Sequence, residues 1–150
     1  MVITVRSCSD NADAEQAVRE GVACVLTLEG RTEAEVSIYL TDDAEIAELN
    51  GAFRGHTKPT DVLAFSQQER SADEPELTDL PECRDLLGDI VISIETAGRQ
   101  AEQRRVPLTT ELKDLAAHGT LHLLGYEDET EAGAELMRMR AAQALGSDRP

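Results

Sequence analysis

An α/β fold, a small mixed β-sheet of about four strands covered by helices, is what this 150-residue sequence predicts. Three observations carry it. Short β-branched runs alternate with helical patterns in the first part of the chain. The last third is helical throughout. One segment within it is apolar on nearly every face, so a buried motif helix sits at the centre of the fold.

Val2–Arg6 alternates in the manner of a strand. Asp10–Leu28 reads as a helix, with Ala14, Ala17, Val18, Val22, Val25 and Leu26 recurring at intervals of three and four, and Gly30 ends it. Glu35–Leu40 is a second strand, with Val36, Ile38 and Leu40 facing one way. A helix follows from Thr41, whose hydroxyl is suited to cap it. Val62–Phe65 and Asp89–Ile94 read as two further strands, bounded by Pro59 and Gly88. Between them Ser66–Leu86 is polar and acidic, carries Pro75 and Pro81, and reads as a surface loop. Helices are predicted over Glu95–Arg104, Thr109–Leu124 and Thr130–Leu145, with a frayed tail at Gly146–Pro150.

The length suits one domain over residues 1–150, large enough to bury a core without disulfides. Cys8, Cys24 and Cys83 are odd in number and unclustered, so they read as plain thiols at least partly buried. No run approaches the roughly 18 apolar residues of a membrane span, and no membrane partner is expected. Met1–Arg6 turns polar too soon for a signal peptide, which makes a cytoplasmic location the expectation. The net charge is −16, with 14 Lys+Arg against 30 Asp+Glu. Such a chain repels phosphates at long range, so nucleic-acid binding has to come from a local basic patch or a metal.

Leu115–Gly125, LAAHGTLHLLG, carries no formal charge in a chain otherwise dense with it. His118 and His122 lie four apart within it, which places both imidazoles on one helix face, one turn apart. That spacing suits two adjacent corners of a coordination sphere. Burial keeps such imidazoles neutral, the form that ligates a metal. Two core histidines bonded to backbone carbonyls are the plainer alternative. Gly125 is placed to end the helix and turn the chain back, and Glu127, Asp128 and Glu129 then offer a choice of carboxylates as third ligand. The spacing His-x3-His-x2-Gly-x2-Asp is similar to the extended zinc signature. A zinc peptidase of that pattern has Glu directly after the first His as general base. Here the position is Gly119, so peptidase activity is not expected.

The segment His118-Gly-Thr-Leu-His122-Leu-Leu-Gly125-Tyr126 resembles the signature of the YbeY-type endoribonucleases, the rRNA maturation factors of bacteria. Two other stretches agree, in the family's order. They are Leu49-Asn50-Gly-Ala-Phe53-Arg54 leading to Lys58-Pro59-Thr60-Asp61-Val62-Leu63-Ala-Phe65, and Leu87-Gly88-Asp89-Ile90-Val91-Ile92-Ser93. The resemblance covers essentially the whole chain. It implies a metal-dependent endoribonuclease acting on single-stranded RNA in 16S rRNA 3′-end maturation and ribosome quality control. The implied partners are rRNA and the small ribosomal subunit, with no DNA expected.

The family's zinc is held by three histidines, which implies one divalent metal per chain. His118 and His122 match two of them, and Asp128 stands where the third would be. The ligand role carries over to Asp128, because a carboxylate oxygen completes a zinc site. The exchange lowers the site's charge by one, and two histidines with a carboxylate accept other divalent metals as well. Arg54 matches the family's functional arginine and is the expected catalytic residue. A guanidinium grips a phosphodiester through two parallel hydrogen bonds and stabilises charge developing on it. Arg54 and Lys58, with His56 between them, form a local basic patch where RNA is expected to bind. Asp61 and Asp89 read as turn or backbone-bonding residues, and Tyr126 as a packing residue.

The alternative of a different class is a non-catalytic ribosome-assembly factor whose metal is structural. A small-molecule hydrolase with the same cradle has no sequence feature of its own. The acidic surface has a further explanation in solubility at high salt. On that account the thermal midpoint rises steadily as KCl is raised to molar levels, because the ions screen crowded carboxylates. A midpoint indifferent to KCl would remove this explanation.

Overall fold

The computed structural model describes residues 1–54, 60–67 and 86–146, apart from the side chains of Phe53 and Arg54. The order of elements is β1 (Val2–Ser7), α1 (Ala12–Leu28), β2 (Glu35–Thr41), α2 (Asp43–Arg54), β3 (Val62–Ser66), β4 (Leu86–Ser93), α3 (Ile94–Arg104), α4 (Leu108–Leu123) and α5 (Glu131–Leu145). The predicted tail beyond Gly146, Cys83 and all but the ends of the predicted Ser66–Leu86 loop lie outside the described residues. Among the described residues no helix is long and apolar enough to cross a membrane.

The four strands form one mixed sheet in the order β1-β2-β4-β3. β1 pairs with β2 in parallel, β2 with β4 in parallel, and β3 runs antiparallel to β4. β4 is covered on both faces, which accounts for its near-continuous apolar run, whereas edge strand β1 alternates exposed and half-buried positions. Pleating divides the side chains. Val36, Ile38, Leu40, Ile90 and Ile92 join the core formed with α1 and α4. Leu63 and Val91 pack with Ile46 of α2 on the other face.

The predicted strand Asp89–Ile94 is shifted. β4 begins at Leu86 and stops at Ser93, whose hydroxyl caps α3 by accepting from the Thr96 amide at 3.2 Å. Gly88 lies inside the strand rather than bounding it. The register slips between Glu35 and Val36 of β2, which face Leu86 and Gly88, so Leu87 is the extra residue of a bulge. Gly88 has φ 149°, and a Cβ there would sit 2.1 Å from the Phe65 carbonyl oxygen, so only glycine fits. Thr41 does not cap α2. Paired with Ser93, it is the last, fully buried residue of β2, and Asp42 caps instead, its carboxylate accepting from the Glu45 amide at 2.9 Å. Likewise Asn11 caps α1 by accepting from the Ala14 amide, so the helix begins at Ala12, two residues after the predicted start. Among the thiols, Cys24 is half-buried but Cys8 is exposed, because it lies just past the end of edge strand β1.

α4 is the buried centre of the molecule. Leu112, Leu115 and Ala116 contribute to the sheet-side core, while Ala117 and Leu121 pack with Val25 of α1 and Met137 of α5. Each such large side chain taken out of water contributes about 1.5–3 kcal/mol. The helix fits because glycines stand at both contacts. A Cβ on Gly21 of α1 would be 2.5 Å from the Lys113 carbonyl oxygen, and one on Gly119 would be 3.0 Å from Ile90 of β4. Its one buried carboxylate, Glu111, is paired with Arg104.

α2 is tied down at its N-terminus. The Asp43 carboxylate accepts from Ser93 Oγ and Thr96 Oγ1, both at 2.6 Å, and from Arg99 at 2.8 Å, while its amide donates to Glu95. These hydroxyls, with Arg99, hold the Asp43 carboxyl down at about 2 from its ordinary 3.8. The charged form is favoured in the folded chain, so this stabilisation is complete above the ordinary value and is lost as pH falls through the folded one. In Asp43→Ala the decline in unfolding free energy between pH 4 and pH 2 should be shallower than in the parent, as read by urea titrations across that range.

Candidate metal centre

α4 ends over edge strand β3, and the site lies in the cleft between them. The helix terminates in a Schellman motif at Gly125, φ 102°, in which the Gly125 amide donates to the His122 carbonyl and the Tyr126 amide to that of Leu121, both at 3.0 Å. The reversal carries the following residues back over the last turn of the helix. As a result the Tyr126 carbonyl oxygen comes to 3.0 Å from His122 Nδ1. A carbonyl oxygen only accepts, so Nδ1 carries the hydrogen and Nε2 of His122 presents its lone pair to the cleft.

Asp128 completes a triangle. His118 Nε2 and His122 Nε2 are 3.0 Å apart, and Asp128 Oδ2 is 3.4 Å from the first and 3.6 Å from the second. Tetrahedral zinc with bonds of about 2.0–2.1 Å has ligand-to-ligand edges of roughly 3.4 Å. The three atoms therefore match one face of such a sphere, and the group could hold a metal ion. Burial, and secondarily the neighbouring His122, lower the His118 pKa below the ordinary histidine value, which favours the neutral ligating form. Both histidine side chains are partly buried, and Asp128 is the exposed member at the cleft rim.

The cleft has a volume of about 600 Å³. Asn50 of α2, Thr60 and Asp61 before β3, and Glu127 and Glu129 beside Asp128 contribute polar groups to its lining. Asp61, expected as a turn or backbone-bonding residue, bonds through its backbone to the neighbouring strand, its carbonyl accepting from the Ser93 amide of β4 at 3.0 Å. Its carboxylate also accepts from Gln100 at 3.3 Å and lines the cleft. Asp89 lies elsewhere, on the strand position facing away from α4, where it accepts from Gln67. Gly119 is buried against Ile90 and Val62, so the position that carries the general base of a peptidase is a packing contact here. Arg54 is the last residue of α2, one helical turn after Asn50. Its side chain, His56 and Lys58 lie outside the described residues.

Tyr126 does more than pack. Its hydroxyl donates to Glu29 Oε1 at 2.7 Å, and Arg140 of α5 donates to both Glu29 oxygens, at 3.1 and 2.9 Å. Neither Glu29 nor Arg140 carries a sequence signal. They stand 97 and 111 residues from the partners they meet, Glu29 from Tyr126 and Arg140 from Glu29.

The profile of the family described as Endoribonuclease YbeY matches residues 4–147. A protein named Endoribonuclease YbeY from Moorella thermoacetica is 52% identical over 113 residues, covering 75% of this chain and 72% of that one. One of the same name from Desulfitobacterium hafniense is 48% identical over 122 residues, covering 81% and 76%. Another from Anaeromyxobacter is 40% identical over 144 residues, covering 94% and 70%. The solution structure of a Thermotoga maritima protein shares the fold, with a TM-score of 0.59 at 24% identity over 97% of this chain and 91% of that one. A profile match from β1 to the end of α5, with relatives 40–52% identical over most of the chain, assigns the chain to the Endoribonuclease YbeY family.

Proposed function

We propose that the cleft is the catalytic centre of a metal-dependent endoribonuclease that cuts single-stranded RNA in 16S rRNA 3′-end maturation, with the small ribosomal subunit as partner. The observation that carries this reading is the convergence of His118, His122 and Asp128 on one point of an open cleft, in a chain of this family. One zinc ion per chain is the proposed cofactor, held by the two Nε2 atoms and the Asp128 carboxylate. Bound there, a divalent ion supplies Lewis acidity and positive charge for a phosphodiester oxygen.

The charge of the lining calls for positive charge at the cleft if RNA is to enter. Asp61, Glu127, Asp128 and Glu129 place four carboxylates around the cleft of a chain that is already strongly acidic. A phosphodiester is repelled by such a lining until positive charge offsets it. Arg54 and Lys58 are the proposed phosphate-binding groups of the chain itself, with Arg54 in the catalytic role. Asn50 and Thr60 support this placement, since both line the cleft and they bracket the segment that carries the basic patch. Arg54 holds a phosphate oxygen in a bidentate grip and stabilises the charge that develops during cleavage. A closed structural zinc site has four protein donors. Three donors, among the described residues, on a cleft of about 600 Å³ favour the catalytic reading over a purely structural metal.

Two measurements test this reading. Zinc affinity by chelator competition should fall by roughly 100-fold or more in His118→Ala, His122→Ala and Asp128→Ala, since loss of even an outer-shell partner costs 10- to 100-fold. Unchanged affinity in Asp128→Ala would remove that residue as a ligand. Cleavage of a single-stranded RNA should stop on chelation, return with a divalent ion, and drop about 100- to 1,000-fold in Arg54→Ala while zinc affinity is retained. Full activity in both Arg54→Ala and His118→Ala would eliminate the mechanism.

A further inference from the structure

The third ligand is presented by a turn, and a turn ending in an exposed aspartate has no intrinsic reason to keep one shape. Three contacts hold this one from behind, from the last turn of α4, from Glu29 after α1 and from α5. Tyr126 is fixed at both ends, its amide donating to the Leu121 carbonyl at 3.0 Å and its hydroxyl to Glu29 at 2.7 Å. Glu29, just past the end of α1, has a side chain only 16% exposed and is clamped by two parallel bonds from Arg140 of α5. At the neighbouring residue the Glu127 carbonyl lies so close to α5 that a Cβ on Gly133 would be 2.3 Å from its oxygen. Thr130, which caps α5 by accepting from the Gly133 amide at 3.0 Å, sets that close approach.

We propose that Glu29, Arg140 and Gly133 act as positioning residues for the metal centre, forming a brace that holds Tyr126 and Glu127 so that His122 and Asp128 are set before the ion arrives. The inference rests on the metal reading of the cleft. The Tyr126 carbonyl that the brace immobilises is the group that accepts from His122 Nδ1, so Glu29 and Arg140 act on the orientation and tautomer of that imidazole through one intervening residue. Gly133 acts on the other arm, since pushing the Glu127 carbonyl away from α5 shifts Asp128 next to it. A ligand turn that is already ordered loses less conformational entropy when it closes on an ion, and that difference appears as affinity.

The test measures zinc affinity of the metal-free full-length chain by competition with a chromophoric chelator, together with the visible absorption of the cobalt(II)-loaded chain and the thermal midpoint of the metal-free chain. Tyr126→Phe keeps the ring and removes only the hydroxyl. We expect it to melt within a few degrees of the parent, to bind zinc about 10-fold more weakly, and to give an altered cobalt spectrum. Glu29→Gln and Gly133→Ala should weaken zinc binding at least as much, and Arg140→Lys should fall between parent and Glu29→Gln because lysine keeps the charge without the two-pronged grip. Should Glu29→Gln or Gly133→Ala fail to fold, Tyr126→Phe and Arg140→Lys decide the matter. Parental zinc affinity and an unchanged cobalt spectrum in folded Tyr126→Phe would overturn the brace while leaving the metal centre intact. A parent chain that takes up neither zinc nor cobalt would overturn the metal reading, and the brace with it.

Discussion

Burial of α4 is the constraint on which the rest of the molecule depends. A helix can be covered by a sheet, α1 and α5 at once only if it is apolar and if its neighbours come close. Gly21 on α1 and Gly119 on α4 itself supply the close approach, and the Leu115–Gly125 segment supplies the apolar surface. Buried on those sides, the helix presents polar chemistry where it emerges over β3, and the two imidazoles face the cleft there. The packing that stabilises the fold thus also decides where the histidine pair points and lowers the basicity of His118.

The same burial sets the electrostatic problem of the cleft. Burial favours the neutral form of His118, while the turn that follows and the approach to β3 bring carboxylates. The result is a site whose own charge opposes an anionic substrate and favours a cation. In a chain of net charge −16 this division of labour is physically consistent, with a localised cation attracting phosphate and the remaining surface free to be acidic.

Much of this was legible in the residues because the signals are local. The histidine pair follows from a helical period of 3.6, and Gly125 marks the turn after which Glu127, Asp128 and Glu129 return toward it, the choice of Asp128 coming from the family resemblance. Five helices and four strands are found where periodicity placed them, and their ends moved by a few residues. Those moves have non-local causes. Thr41 lost the capping role to Asp42 because pairing with Ser93 holds it in the sheet, and Gly88 entered β4 because a register slip against β2 needs a glycine inside the strand. Neither pairing is visible from the residues that it affects.

The amino-acid sequence by itself determined the α/β class, the buried helix, the histidine pair with a choice of carboxylates after it, and the family, because each is written in short-range spacing or in motif order. Only the tertiary structure decided that the three donor atoms lie 3.0–3.6 Å apart, that Asp61 and Asn50 share their cleft while Asp89 does not, and that Glu29, Arg140 and Gly133 stand behind the turn. The physical reason is range. Periodicity and capping act within a few residues of the chain, whereas the Glu29–Arg140 pair exists only once α1 and α5 have been packed side by side around α4.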